Sequence, residues 1–388
     1  MQTKNESQLA QPMTRDPGLQ GETLLADRGR FLAAATHNPE KPLDWAAFQV
    51  SVKDVLDHYF ASQRLRAGVH SPAFGELWDR MTATTTGGKW MRPKLVYLTY
   101  EALGGDDWRA CSELAAAFEV LHAALLVHDD VIDRDFVRRG VQTLGGSYRD
   151  MATLAGHSSA DADHAGFSAA IIAGDLLLTG SLQLAASAAT GHGHGPAILS
   201  TIHEAIFAAA AGELDDLLFS LGRSDPALLE VLNMERLKTA VYSFEMPLRA
   251  GALLAGESAA TADALAAVGR DIGVAYQVVD DVLGTFGQQS VTGKPVDSDL
   301  QEGKRTILTS FAAGSEEFVA AVAAFRAGDG DIEAVRTVLR QLGVREHALT
   351  LAKNLVADAM DKASELELPE SLFLELTQIC DYVLSRRS

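Results

Sequence analysis

The sequence predicts an all-α fold, a large helical bundle. Three observations point there. Strand-like alternation of apolar and polar residues is nearly absent over the 388 residues. Alanine, a strong helix former, is frequent. Apolar residues recur at three- and four-residue steps through runs far longer than a strand. A hydrophobic content of 47% is enough for a large core, and no composition shift marks a domain boundary after about residue 40.

Residues 1–40, rich in Gln, Thr, Asn, Pro and Gly, lack periodicity and predict a flexible N-terminal extension. Residues 41–388 predict one all-helical domain. Its first helix carries Leu43, Trp45, Phe48, Val52, Val55, Leu56 and Phe60, with Asp44 as N-cap. The next long run goes from Trp108 to about Asp135, capped by Asp106 or Asp107 after Gly104-Gly105. Further runs cover 167–189, 197–221, 226–255 and 259–283. The C-terminal third continues over 302–313, 316–326, 332–342, 344–366 and 370–386. Several of these helices are apolar on most faces, which places them centrally. Gly-containing segments separate the helices, among them Gly87-Gly88, Gly145-Gly146 and the stretch 288–303. His157 to His164 reads as a polar surface insertion, and Arg386 and Arg387 as a solvated basic tail.

Composition narrows the function. A net charge of -19 argues against nucleic acid or an anionic membrane as the main partner. Two cysteines, Cys111 and Cys380, build no disulfide framework, which fits a reducing, cytoplasmic location. The polar N-terminus predicts no signal peptide, and the lack of a run of about 18 uncharged apolar residues predicts no integral membrane segment.

Two acidic strings stand out: Asp129-Asp130-Val131-Ile132-Asp133 and Asp280-Asp281-Val282-Leu283-Gly284. A single such string would read as a solvated acidic helix end. Here each follows a long apolar run that draws its helix into the core. Asp129 and Asp133, four apart, share one helix face with Cβ atoms about 5–6 Å apart. All-oxygen carboxylate sites favour Mg²⁺ or Mn²⁺, and Mg²⁺ takes one or two carboxylates and leaves the rest to water and phosphate. The pattern therefore reads as a clamp for a polyanionic, phosphorylated substrate. Fixed cations alternate with the acids: Lys89, Arg92 and Lys94 beside Gly87-Gly88, then Arg138-Arg139, Lys294, and Lys304-Arg305. His122, two helical turns before Asp129, shares its face, whereas His128 points elsewhere on the helix.

These residues carry a resemblance. Over nearly all of residues 45–388 the chain resembles the trans-isoprenyl diphosphate synthases, or polyprenyl synthetases, in particular the bacterial members that form geranylgeranyl diphosphate. Asp129, Asp130 and Asp133 look like the first aspartate-rich motif of that family, and Asp280 and Asp281, after Tyr276-Gln277, like the second. Gly87-Gly88-Lys89 with Arg92-Pro93 matches the family's GGK-x-x-RP string. The resemblance implies a single isoprenoid-synthase bundle whose central helices surround a deep apolar cavity. It implies a prenyltransferase that condenses isopentenyl diphosphate head-to-tail with dimethylallyl, geranyl or farnesyl diphosphate, giving geranylgeranyl diphosphate or a somewhat longer product.

Roles follow from the same resemblance. Asp129, Asp130, Asp133, Lys238, Asp280 and Asp281 are implied as catalytic. Three Mg²⁺ ions, replaceable by Mn²⁺, are implied on Asp129, Asp133 and Asp280. Lys89, Arg92, His122 and Arg139 would hold isopentenyl diphosphate. Arg138, Lys238, Thr239, Gln277, Lys294 and Lys304 would surround the allylic diphosphate. Ala124 and Leu125, just before the first motif, would set chain length, and the small Ala124 favours twenty carbons or more. The family is typically homodimeric. Three positions depart from its pattern: Gly284 replaces the last acid of the second motif, Tyr276 stands for a commoner Phe, and Asp297 for a Gly. Two other readings share some features: a class I terpene cyclase, and a non-catalytic subunit of a heteromeric prenyl synthase.

Overall fold

A computed structural model of the chain describes residues 41–42, 44–85, 88–138, 140–222, 226–287, 300 and 303–386. The expected extension over residues 1–40 lies outside them. The described residues are almost wholly helical. The helices are α1 (Trp45–His70), α2 (Pro72–Thr85), α3 (Met91–Ala102), α4 (Trp108–Ile132), α5 (Leu144–Leu154), α6 (Ser159–Ala189) and α7 (Gly195–Ser220). Then come α8 (Leu228–Glu235), a π-helical segment (Arg236–Glu245), α9 (Met246–Leu254) and α10 (Ala259–Phe286). The last five are α11 (Ile307–Ala312), α12 (Glu316–Ala327), α13 (Ile332–Gln341), α14 (Val344–Glu365) and α15 (Glu370–Ser385). A two-stranded antiparallel ribbon, β1 (Val137–Arg138) and β2 (Val141–Gln142), follows α4.

The expected caps form. Asp44 accepts a hydrogen bond from the Ala47 N–H at 2.9 Å, and Asp107 one from Ala110 at 2.9 Å. Gly105 lies against the ring of Tyr100, where a Cβ would come within 2.2 Å, and the Tyr100 hydroxyl accepts from the Asp107 N–H at 2.7 Å. The α3–α4 turn is thus fixed by a glycine and an aromatic ring together.

α4 is the central helix. Leu114, Phe118, Val120 and Leu121 are fully buried, and α6 lies along it. Phe48 of α1 stacks on Tyr97 of α3 at 4.7 Å between centroids and closes one end of the core. α10 packs against α14 and the π segment.

Four expectations need correction. Gly145-Gly146 do not separate helices; they lie inside α5, where a Cβ on Gly146 would fall 2.2 Å from the Phe136 carbonyl and one on Gly145 would fall 3.2 Å from that of Gly166. These glycines serve close packing rather than a turn. Residues 159–164 form the first turns of α6, capped by Ser158, so most of the expected polar insertion is helix. The run over 226–255 is helical but changes pitch through its middle ten residues. Finally, α4, α6 and α7 are long and apolar enough to cross a membrane by length and composition. In α4 that apolarity serves the core, since 78% of its most apolar window is buried, against 44% in α6 and 39% in α7.

Candidate active site

Asp129, Asp130 and Asp133 occupy the C-terminal end of α4, Asp133 being its C-cap. Three acids at the negative end of a helix dipole are unfavourable on their own, and the structure surrounds them with cations. Arg138, carried back by the β1–β2 ribbon, donates to Asp130 at 2.6 Å and also to Asp129. Lys238 of the π segment lies 3.4 Å from Asp129, and Lys304 donates to Asp133 at 2.6 Å. The chain leaves Asp133 through Arg134, whose φ of 59° is left-handed and turns the backbone toward the ribbon.

The local fields divide the two neighbours. Burial opposes ionisation of Asp129, but Lys238, Arg138 and Lys304 outweigh it and hold the carboxyl well below the usual range. Asp130 has only Arg138 to offset its burial, which pushes it up to about 6. Lys238 is held charged despite burial by Asp129, Asp216 and Glu213.

The second cluster ends α10. Asp281 turns inward: it accepts from Gln277 Nε2 at 3.0 Å and from the Ile307 N–H at 3.3 Å. The buried Glu235 lies behind it, its carboxyl raised well above the ordinary range by burial and by Asp281. Asp280 faces solvent on one side, with its side chain 48% exposed, and accepts from Arg386 Nη2 at 2.6 Å. The two aspartates are therefore unequal: one is available to a ligand, the other is fixed in the frame. One short segment ties both clusters, because Lys304 reaches Asp133 while the Ile307 N–H reaches Asp281.

A third group lies beside them. Arg92 donates to Ser243 Oγ at 2.7 Å, and its guanidinium sits 4.6 Å from the centre of the Tyr242 ring. The ring of His122 stacks on the other partner of this set, Tyr242, with Nδ1 3.4 Å from its hydroxyl. Lys89 donates to the Tyr382 hydroxyl. Trp90, between Lys89 and Arg92, has a φ of 49° and caps α3 in the left-handed region. That geometry costs about 1–3 kcal/mol for a non-glycine residue and sets the direction in which the two cations leave the backbone.

The sequence-predicted residues fall as follows. Asp129, Asp130, Asp133, Arg138, Lys238 and Lys304 form one charge network. Thr239 is half-buried in the π segment beside Lys238. Ala124 is fully buried, while Leu125, one turn below Asp129, is half-buried. Arg139, Lys294, Gly87, Asp297 and Arg387 lie outside the described residues. Arg386 is no solvated tail: its side chain is 12% exposed, pairs with Asp280 and stacks on Tyr276 at 4.1 Å. His128 is accounted for structurally, packed over Gly174 and 3.4 Å from Asp175.

Sequence reasoning missed Glu213, Asp216, Glu235 and Tyr382. Lys238 Nζ lies 3.0 Å from Glu213 and 2.7 Å from Asp216, both on α7. Their three-residue spacing just after Gly212, at the end of the apolar run Ala205 to Ala211, was the available signal. Gly212 itself meets the backbone N of Lys238, where a Cβ would come within 2.3 Å, so α7 and the π segment touch at that point.

The donors here are hard oxygens, and oxygen atoms of Asp129, Asp133 and Glu213 all lie within 4.8 Å of one another. That set fits a small divalent cation such as Mg²⁺ or Mn²⁺. With cations on both sides, the arrangement can hold a polyanion and stabilise charge appearing on its oxygens.

Comparisons with known proteins agree with this chemistry. Residues 76–342 match the family described as polyprenyl synthetase. A geranylfarnesyl diphosphate synthase of Aeropyrum pernix is 33% identical, over 77% of this chain and 91% of its own. A (2E,6E)-farnesyl diphosphate synthase of Mycobacterium tuberculosis is 32% identical, over 78% of this chain and 80% of its own. Among solved structures, geranylgeranyl pyrophosphate synthase of Corynebacterium glutamicum, in complex with isoprenyl diphosphate and magnesium, is similar over 89% of this chain and 100% of that one, with a TM-score of 0.80 and 27% identity.

Proposed function

The chain belongs to the polyprenyl synthetase family, and from that premise we propose that it joins isopentenyl diphosphate to an allylic diphosphate and makes geranylgeranyl diphosphate or a product of similar length. The observation that carries this reading is the pairing of the first aspartate cluster with Arg138, Lys238 and Lys304, and its link to the second through the short segment from Lys304 to Ile307.

Asp129, Asp133 and Asp280 are the carboxylates for magnesium, three ions in the full set, with manganese as a substitute. When bound, the metal neutralises the diphosphate oxygens and favours departure of the leaving group. The chain's own groups do the rest. Lys238, Lys304 and Arg138 face the allylic diphosphate and stabilise the charge its oxygens gain as the allylic C–O bond breaks. The electron pair leaves with pyrophosphate, and an allylic cation remains. Lys89, Arg92 and His122 hold isopentenyl diphosphate with its double bond toward that cation. A new C–C bond forms, and a proton is lost to the released pyrophosphate. Asp281 ligates nothing; it fixes the end of α10 against Ile307 and Glu235.

The growing tail runs down beside α4 past Leu125. A second copy of the chain covers α6 and α7, which leave Ile171, Phe207 and Leu214 in solvent, Phe207 at 66%. Two buried free cysteines accord with a cytoplasmic location.

The test is an elongation assay with purified protein, Mg²⁺, isopentenyl diphosphate and each allylic primer. Linear polyprenyl diphosphates are the expected products. A cyclic hydrocarbon from the allylic substrate alone, or no turnover without a second protein, refutes the proposal.

A further inference from the structure

α7 brings an acid to the first cluster that neither aspartate string contains. Oxygen atoms of Asp129, Asp133 and Glu213 lie within 4.8 Å of one another. A single ion with metal–oxygen distances of about 2.0–2.1 Å comes close to bridging that spread, and modest side-chain movement closes it. A cationic group already sits among these acids. Lys238 Nζ is 3.4 Å from Asp129, 3.0 Å from Glu213 and 2.7 Å from Asp216. The ammonium occupies the position of a cation shared between two helices. Among the described residues, the acids Asp129, Asp130, Asp133, Glu213 and Asp216 pair with Arg138, Lys238 and Lys304.

We infer that Glu213 is a third protein ligand for a divalent cation at the first aspartate cluster, and that this site takes Mg²⁺ or Mn²⁺ before any diphosphate arrives. The identity of the cation rests on the prenyl-transfer reading above; the geometry does not. Two aspartates on one helix leave a hard ion to be completed largely by water and substrate phosphates. A carboxylate from the facing helix adds charge and a second point of attachment, so the ion no longer depends on the substrate to be held. Entry of the ion displaces the Lys238 ammonium from Asp129 and Glu213. Asp216, at 2.7 Å, keeps one of its three N–H donors, and the others turn to anionic oxygens.

The experiment is Mn²⁺ titration of the full chain followed by electron paramagnetic resonance, with no diphosphate present, on wild type, Glu213→Gln and Glu213→Asp. Wild type binds one ion per chain. Loss of outer-shell partners alone weakens metal sites by about 10–100-fold, so Glu213→Gln weakens binding by at least about tenfold, and Glu213→Asp falls between. Equal affinity in wild type and Glu213→Gln overturns the inference, as does a wild type that takes up Mn²⁺ only after pyrophosphate is added. Glu213 is then a counter-ion to Lys238 and no more. If Glu213→Gln does not fold, Glu213→Asp carries the test, and wild-type affinity in it is the overturning result. The elongation assay on wild type separates the two readings. Active protein without Glu213-dependent Mn²⁺ binding sinks this inference alone; inactive protein that binds Mn²⁺ through Glu213 sinks the prenyl-transfer reading alone.

Discussion

Replacing Lys238 by methionine keeps the length of the side chain and removes its charge. In the wild type three carboxylates lie within 3.4 Å of that charge. At 3 Å and an effective dielectric near 20, each contact is worth about 5 kcal/mol of gross attraction, most of it offset by desolvation. Removing one partner of a buried ionic cluster costs about 3–5 kcal/mol net. The Lys238 side chain is 21% exposed, which places the variant at the lower end, about 3 kcal/mol. For a chain of this size, with about 2.1 cal/mol/K of unfolding entropy per residue, that is a fall in melting temperature of about 4 °C. The pH dependence has a definite sign. In wild type the Asp129 carboxyl is held low by its cations, so its contribution is present above the unfolded pKa and is lost only in strong acid. Without Lys238, Glu213 loses the main charge opposing its burial and its carboxyl rises further, so the variant gains stability as pH falls from 7 to 5. Scanning calorimetry at both pH values, with and without Mn²⁺, is the assay. The gap to wild type is about 4 °C at pH 7; it narrows at pH 5 and on addition of Mn²⁺. A melting temperature within about 1 °C of wild type at pH 7, or a gap that widens in acid, refutes the reasoning.

Three further outcomes are expected. Asp280→Ala lowers kcat by about 10²-fold or more, whereas Gly284→Asp changes it little; comparable losses in the two variants refute the unequal roles given to the second cluster. Ala124→Phe shortens the main product, read by chromatography, and costs about 1–3 kcal/mol because Ala124 is fully buried; unchanged chain length sinks the assignment. Glu119 is pushed by burial from 4.5 up to about 7, against the field of Arg92. A buried acid with a raised pKa contributes its stability below pH 4.5 and loses it as pH rises to 7, so Glu119→Gln is more stable than wild type by about 3 kcal/mol at pH 8 and equal near pH 4.5. Thermal unfolding at the two pH values checks this, and a pH-independent difference contradicts it.

What could be read from the chain was whatever depends on neighbours in sequence. The apolar run of α4, the caps at Asp44 and Asp107, and the two aspartate strings are local features, and each is where the spacing puts it. The errors also have a local cause. Gly145-Gly146 was read as a break because glycine lowers helix propensity; contact with Phe136 and Gly166 decided otherwise. The unread part of the site is non-local. Lys238 meets Glu213 from 25 positions away, and Arg386 meets Asp280 from 106. No spacing rule reaches that far. Glu235 behind Asp281 and Tyr382 beside Lys89 become neighbours only once α8, α10 and α15 have packed.

The π segment carries a consequence for how such a chain can change over generations. Its wider turns hold Lys238 against Gly212 on one side while Ala240 and Phe244 meet Gly273 and Gly269 on the other. Deleting one of its ten residues would let the stretch relax to α geometry and rotate everything beyond it by about 100°. Lys238 would then keep its place only if the α9 core turned with it. A substitution along these ten positions leaves that register in place, whereas an insertion or a deletion shifts it.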